Sequence, residues 1–166
     1  MQLILWRHAD AEDEAVSDLA RALTPKGQRQ ATRMADWFMA QVGVDLTRWK
    51  ILVSPALRAQ QTAAALATKA GIKFETFASI APEATSDAIL QAARWPDSAT
   101  HVMVVGHQPT LGLVIAQLLS GHHEYISADS VSVKKGAMWW FESRAKGRDK
   151  NHQAILRVMT TPESLS

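Results

Sequence analysis

The 166-residue chain has no cysteine. Disulfides, cysteine-ligated zinc and iron–sulfur sites are therefore excluded, and any nucleophilic catalysis must use another side chain. Long apolar runs are missing too. The N-terminal run Leu3–Trp6 stops at Arg7-His8, which is too short for a secretory signal. The stretch Leu111–Leu119 carries Gln117 and falls far short of the roughly 20 residues of a spanning helix. Charge of one sign is scarce in excess. Eighteen Lys+Arg against sixteen Asp+Glu leave +2, too little by itself for a nucleic-acid or membrane footprint. Internal repeats and low-complexity segments are likewise absent. These absences lead us to expect one soluble, cytoplasmic, monomeric domain spanning residues 1–166, with no nucleic-acid or membrane partner.

What is present is 47% apolar and 20% charged, the balance of a globular chain. Gln2–Trp6, Lys50–Val53 and His101–Val105 read as strands buried on both faces. Ala9–Leu23 has neither helical nor strand period and reads as a long loop. Thr24-Pro25 starts a helix that Gly43 stops, and Ser54-Pro55 repeats the device before the Ala-rich helix Ala56–Ala70. Lys73–Phe77 reads as a short strand and Ser86–Trp95 as a short helix started by Ser86. Pro109 opens a helix with the apolar stripe Leu111, Val114, Ile115, Leu118 and Leu119. Val131–Lys135, Ala137–Phe141 and Ala154–Met159 read as strands, and the charged stretch Glu142–Asn151 as a surface turn. The expected fold is an α/β three-layer sandwich, a mainly parallel sheet with helices on both faces and antiparallel additions.

In such sheets ligands sit beyond the carboxyl ends of the strands. Arg7-His8 follows the first strand, Arg58 lies in the first turn of the helix after the second, and His107 follows the third. Guanidinium forks grip phosphate oxygens, a neutral imidazole can be the nucleophile, and a protonated imidazole can neutralise developing charge. Taken singly, each is as well explained as a surface or capping residue; their recurrence at successive strand ends favours a phosphoryl site.

Other features carry less. His122-His123-Glu124 lacks a familiar metal-ligand spacing, and Gly106-His107-Gln108-Pro109 lacks the Gly-Lys-Ser/Thr ending of a phosphate loop. Asp10, Glu12, Asp13 and Glu14 lack the Asp-x-Asp pattern of aspartyl phosphatases and would rim the pocket or stay solvated. Trp139-Trp140 should face opposite sides of a strand. Lys134-Lys135 alone do not make a base-stacking platform.

The segment Leu3–Glu12 resembles the Arg-His-Gly signature of the histidine phosphatase (phosphoglycerate-mutase-like) superfamily. Together with Arg21–Gly27, Ser54–Thr62 and Val104–Pro109, in order along the chain, it resembles the small SixA-type phosphohistidine phosphatase branch. Lys135-Gly136-Ala137 and the tail Thr161–Leu165 also fit. The resemblance implies a phosphoglycerate-mutase-like fold and a phosphohistidine intermediate on His8. It also implies phosphate binding by Arg7, Arg58 and His107, with Arg21 as a further arginine near the pocket, and neither metal nor cofactor. Ala9 stands where the wider signature has glycine, so no positive φ is expected there. Larger relatives place a glutamate as proton donor; Glu83 occupies a comparable stretch, and Asp18 is the other candidate.

A weak or missing general acid favours phosphohistidine over an alkyl phosphate, because imidazole is the better leaving group. The substrate is then expected to be phosphohistidine of a partner protein. The alternatives are a small phosphorylated metabolite, with Glu83 as acid, and a non-catalytic phosphate-binding module. A mutase is disfavoured by the short chain. His8 should be neutral, held through its other nitrogen by a backbone carbonyl, and His107 charged when phosphate is bound, with a mildly acidic to neutral rate maximum.

Overall fold

The computed structural model describes residues 1–43, 46–121, 127, 131–146 and 151–165. His122, His123 and Glu124 lie outside them. Six strands form one sheet: β1 (Gln2–Arg7), β2 (Trp49–Val53), β3 (Glu75–Thr76), β4 (His101–Gly106), β5 (Met138–Lys146) and β6 (Asn151–Thr160). Their order is β3-β2-β4-β1-β5-β6. The first four are parallel; β5 runs antiparallel to β1, and β6 antiparallel to β5.

The apolar run of β1 explains the layers. Leu3, Ile4, Leu5 and Trp6 are all fully buried, and because strand side chains alternate, they feed opposite faces. Ile4 and Trp6 pack with Met34 and Phe38 of α1 (Pro25–Val42) and Ala63 and Leu66 of α2 (Leu57–Ala70). Leu3 and Leu5 pack with Ile89 of α3 (Ser86–Ala92) and Leu111, Val114 and Ile115 of α4 (Thr110–Ser120). Burial of each large side chain stabilises by about 2 kcal/mol. The result is the expected sandwich, with α1 and α2 on one face and α3 and α4 on the other. Trp140 joins the first cluster and Trp139 packs against the second, on opposite faces as expected.

Helix starts follow local chemistry with two corrections. Thr24 caps α1 by accepting from Gly27 N, and Gly43 ends it at φ 76. At α3 the cap is Thr85, which accepts from Ala88 N, rather than Ser86, and the helix stops at Ala92. Ser54 does not cap α2, whose N-cap is Ala56; its hydroxyl is used elsewhere.

The sheet also differs from expectation. Val131–Lys135 is no strand, because its backbone groups are taken by side chains: Gln108 Nε2 donates to Val131 O, Val133 N donates to Gln108 Oε1, and Arg7 donates to Val133 O. Strand β3 shrinks to Glu75–Thr76. In compensation β5 and β6 extend through much of the charged stretch read as a turn, pairing as far as Lys146↔Asn151. Among the described residues no helix is long and apolar enough to cross a membrane.

Candidate active site

The three central strands end level with one another. Arg7 is in register with Gly106 and Val53 with Val105, and His8 N and Ser54 N donate to Gly106 O and Val105 O. This alignment brings Arg7-His8, Ser54 and His107 to one edge of the sheet, and Arg58 joins them from the first turn of α2. His8, Arg58 and His107 are buried, and the two imidazole rings stand 5.1 Å apart.

His8 Nδ1 lies 2.8 Å from Ala9 O. A carbonyl can only accept, so Nδ1 carries the proton and the lone pair is on Nε2. Ala9 has no positive φ, since among the described non-glycine residues only Arg94 does. Burial, and the cations Arg58, Arg7 and Lys135, push the His8 pKa down to about 4. His107 is pushed down to about 3 by burial and by His8. Both rings are therefore neutral through the physiological range. His107 Nε2 sits 2.7 Å from Ser54 Oγ, which also accepts from Ala56 N.

Each arginine is held by one edge. Arg58 donates from its two terminal nitrogens to the Asp18 carbonyl and carboxylate, at 2.6 and 2.9 Å. Arg7 donates through one terminal nitrogen to Val133 O, and burial lowers its pKa from the ordinary value. What remains is telling: Arg7 Nε, Arg58 Nε and His107 Nδ1 are buried without a hydrogen-bond partner among the described residues. Leaving such atoms unpaired costs about 1–3 kcal/mol each, and the side chains that carry them stand close enough to His8 to act on it, His107 by ring contact and the two arginines by lowering its pKa.

Arg21 stands one residue further out. Its Nε donates to Glu12 O, and one terminal nitrogen donates to Asp18 Oδ1 at 3.0 Å, so Asp18 bridges Arg21 and Arg58. The loop carrying both closes through an Ala11↔Leu23 bridge and a 3₁₀ turn at Asp18–Ala20. Pairing to Arg58, and then to Arg21, holds the Asp18 carboxyl below its ordinary pKa, the opposite of what a proton donor needs. Glu83 is exposed. The next residue, Ala84, accepts from Thr110 Oγ1 at the start of α4, which ties the Glu83 turn to the helix following His107.

Three participants escape sequence reasoning: Ser54, the Val133 carbonyl and Lys135. Lys135 pairs with Asp10 at 2.7 Å and adds positive charge near His8. Asp10 is thus a rim residue held between Lys135 and Thr24, whereas Glu12, Asp13 and Glu14 are exposed. The other described histidines are spoken for. His101 accepts from Gln2 N, and His152 contacts Ser143 and Asp97. Among the described residues no cluster of metal-ligand type occurs.

The histidine phosphatase superfamily (branch 1) model matches residues 3–81. Phosphohistidine phosphatase SixA of Escherichia coli (strain K12) is 34% identical over 128 residues, covering 73% of this chain and 76% of that protein. An uncharacterised protein of Picosynechococcus sp. is 33% identical over 175 residues, covering 99% of each. Among solved structures, a protein histidine phosphatase SixA complexed with tungstate has a TM-score of 0.77 at 24% identity, with 100% of each chain covered. A variant phosphoserine phosphatase from Entamoeba histolytica, in complex with phosphoserine, has a TM-score of 0.66 at 13% identity over 98% of each chain. These two structural likenesses concern the fold.

Proposed function

This chain belongs to the histidine phosphatase superfamily and is a phosphatase, and on that premise we propose that it dephosphorylates phosphohistidine in a partner protein through a phosphohistidine intermediate on His8. The observation that supports this reading is that His8 is surrounded by Arg7, Arg58 and His107, each of which carries one buried, unpartnered polar atom.

In the first step the His8 Nε2 lone pair attacks phosphorus, and the bond from phosphorus to the substrate imidazole breaks. That imidazole leaves neutral, its other nitrogen having taken a proton from solvent. Arg7 and Arg58 hold the phosphoryl oxygens by their Nε edges, already desolvated and anchored, so little reorganisation is needed. A dianion beside His107 raises its proton affinity, and a protonated His107 then donates from Nδ1 to the phosphoryl group while Nε2 keeps Ser54. In the second step water attacks the phosphorus on His8, releasing inorganic phosphate and restoring the neutral ring. The step asks for no strong acid, which suits a site where Asp18 is ionised and paired.

A second reading is kept by one observation: Glu83 is exposed on a turn fastened to the start of α4. There it could serve as acid for a small phosphomonoester. Wild type and His8→Ala, assayed in EDTA on a histidine-phosphorylated protein and on a panel of phosphate esters, separate the readings. We expect wild type to favour the phosphoprotein and the variant to act on neither. Preference for esters, abolished by Glu83→Gln, would select the second reading, and full activity of His8→Ala would refute both.

A further inference from the structure

The near-neutral total charge conceals a local basic face. Lys26, Arg29 and Arg33 are spaced i, i+3, i+7 along α1, so they share one exposed face. With Gln30, Pro162 and Glu163 they line a cavity of about 170 Å³, and Arg29 and Arg33 also border the next recess along the helix, with Gln28, Thr32 and Asp36. The acids nearby are occupied: Asp10 by Lys135 and Thr24, Glu163 by Gln30, and Asp36 by Lys69. Arg33 holds the C-terminal turn through Pro162 O and Leu165 O. The side chains of Lys26 and Arg29 make no ion pair or hydrogen bond among the described residues, although Lys26 is near enough to Asp10 to help lower its pKa. The exposed Lys134 continues the patch beside Glu163.

This face is coupled to the site by a short chain of contacts. Asp10 N donates to Gln30 Oε1 on α1, the Asp10 carboxylate takes the Thr24 cap of the same helix, and Lys135 joins Asp10 to the field around His8. The loop after His8 carries the opposite sign, with Glu12, Asp13 and Glu14 exposed and Asp13 3.8 Å from Arg21.

Resting on the phosphohistidine-protein reading, we propose that the basic α1 face of Lys26 and Arg29, continued by Lys134, docks an acidic surface of the phosphoprotein beside its phosphohistidine. A localised acidic patch can pair with α1 while avoiding the acidic loop, which also fixes the partner's orientation. Lys26, Arg29 and Lys134 make a compact patch around Glu163 rather than the extended basic track that a nucleic acid or an anionic bilayer would use, so an acidic protein surface fits better.

The test uses two phosphohistidine peptides, one flanked by Glu and one by Lys, together with phosphoramidate as a substrate that reaches only the site. Wild type should use the Glu-flanked peptide with a kcat/KM about tenfold higher at low salt, carried by KM, and the preference should shrink as salt screens the charges. In the double variant Lys26→Glu/Arg29→Glu the preference should vanish or invert, with phosphoramidate turnover and Tm unchanged. Arg33 is left intact because it anchors the tail. Equal use of both peptides by wild type, a parallel loss on phosphoramidate, or a charge preference surviving in the variant would overturn the proposal. Unchanged peptide preference with lost binding to single-stranded DNA or phosphatidylserine vesicles would reassign the face to a polyanion. Hydrolysis of esters but of neither peptide would sink the phosphohistidine reading, and this inference with it, whereas turnover of both peptides without preference sinks the inference alone.

Discussion

Protonation of two imidazoles governs the chemistry at the scale of single residues. The proposed mechanism uses His8 as a neutral nucleophile, so kcat/KM should fall only as pH drops through about 4, well below the ordinary histidine value of 6.5. This shifts the acid limb below the mildly acidic range that unperturbed imidazoles would give; a limb at 6.5 in a pH–rate profile would contradict the burial argument. The same depression makes a stability statement. Unfolded histidines take up protons below about 6.5 while the folded site resists until about 4, so the unfolded state binds more protons in that window. Stability is therefore level above 6.5 and declines as pH falls from 6.5 through 4, by roughly 3 kcal/mol for His8 alone. Thermal melts at pH 5 and 7.5 should show a smaller difference for His8→Ala/His107→Ala than for wild type. Asp18→Asn separates positioning from proton donation. Loosening Arg58 should lower kcat/KM on phosphohistidine about tenfold through KM, whereas a kcat loss of about 10²–10⁴ would mark a general acid. His8, Arg7, Arg58 and His107 stand out in the sequence because each ends or follows a strand or opens a helix, and the structure brings all four to one edge of the sheet. Ser54, Lys135 and Val133 O are not, because their partners lie 53, 125 and 126 residues away.

Among the elements, the segment around Val131–Val133 is the clearest case of tertiary structure overriding local pattern. Its alternation suits a strand, yet its backbone bonds go to Gln108 and Arg7, and it crosses α4 at Gly112. A Cβ there would meet Val131 O at 2.1 Å and Gln108 Nε2 at 2.7 Å, contacts that must move. Gly112→Ala should therefore displace the segment, costing about 1–3 kcal/mol and weakening Arg7's hold on phosphate. Denaturant melts with the KM for phosphohistidine check both effects; an unchanged KM would separate the segment from Arg7. Gln108→Ala should act in the same direction by leaving Val131 O and Val133 N without their partner. By contrast α1 was readable to its ends, since Thr24-Pro25 and Gly43 act within one turn of the chain. The cap of α3 slipped from Ser86 to the equally competent Thr85, and the hairpin of β5 and β6 outran its apolar pattern because ladder pairing tolerates the exposed polar residues of an edge.

For the whole molecule, the fold's contribution is to end three central strands at one level and to bury arginines and histidines there before any ligand arrives. In a chain without cysteine, this placement suits the proposed use of histidine as the nucleophile. The proposed reaction turns on a covalent phosphoryl group on His8. The most direct measurement is rapid acid-free quenching of the enzyme mixed with a phosphohistidine protein, followed by peptide mass spectrometry of wild type and His8→Ala. A transient, acid-labile phosphoryl group is expected on the peptide containing His8, formed and lost at rates compatible with turnover and absent from the variant. Turnover of the phosphoprotein with no phosphoryl group on His8, or with the group on another residue, would contradict it.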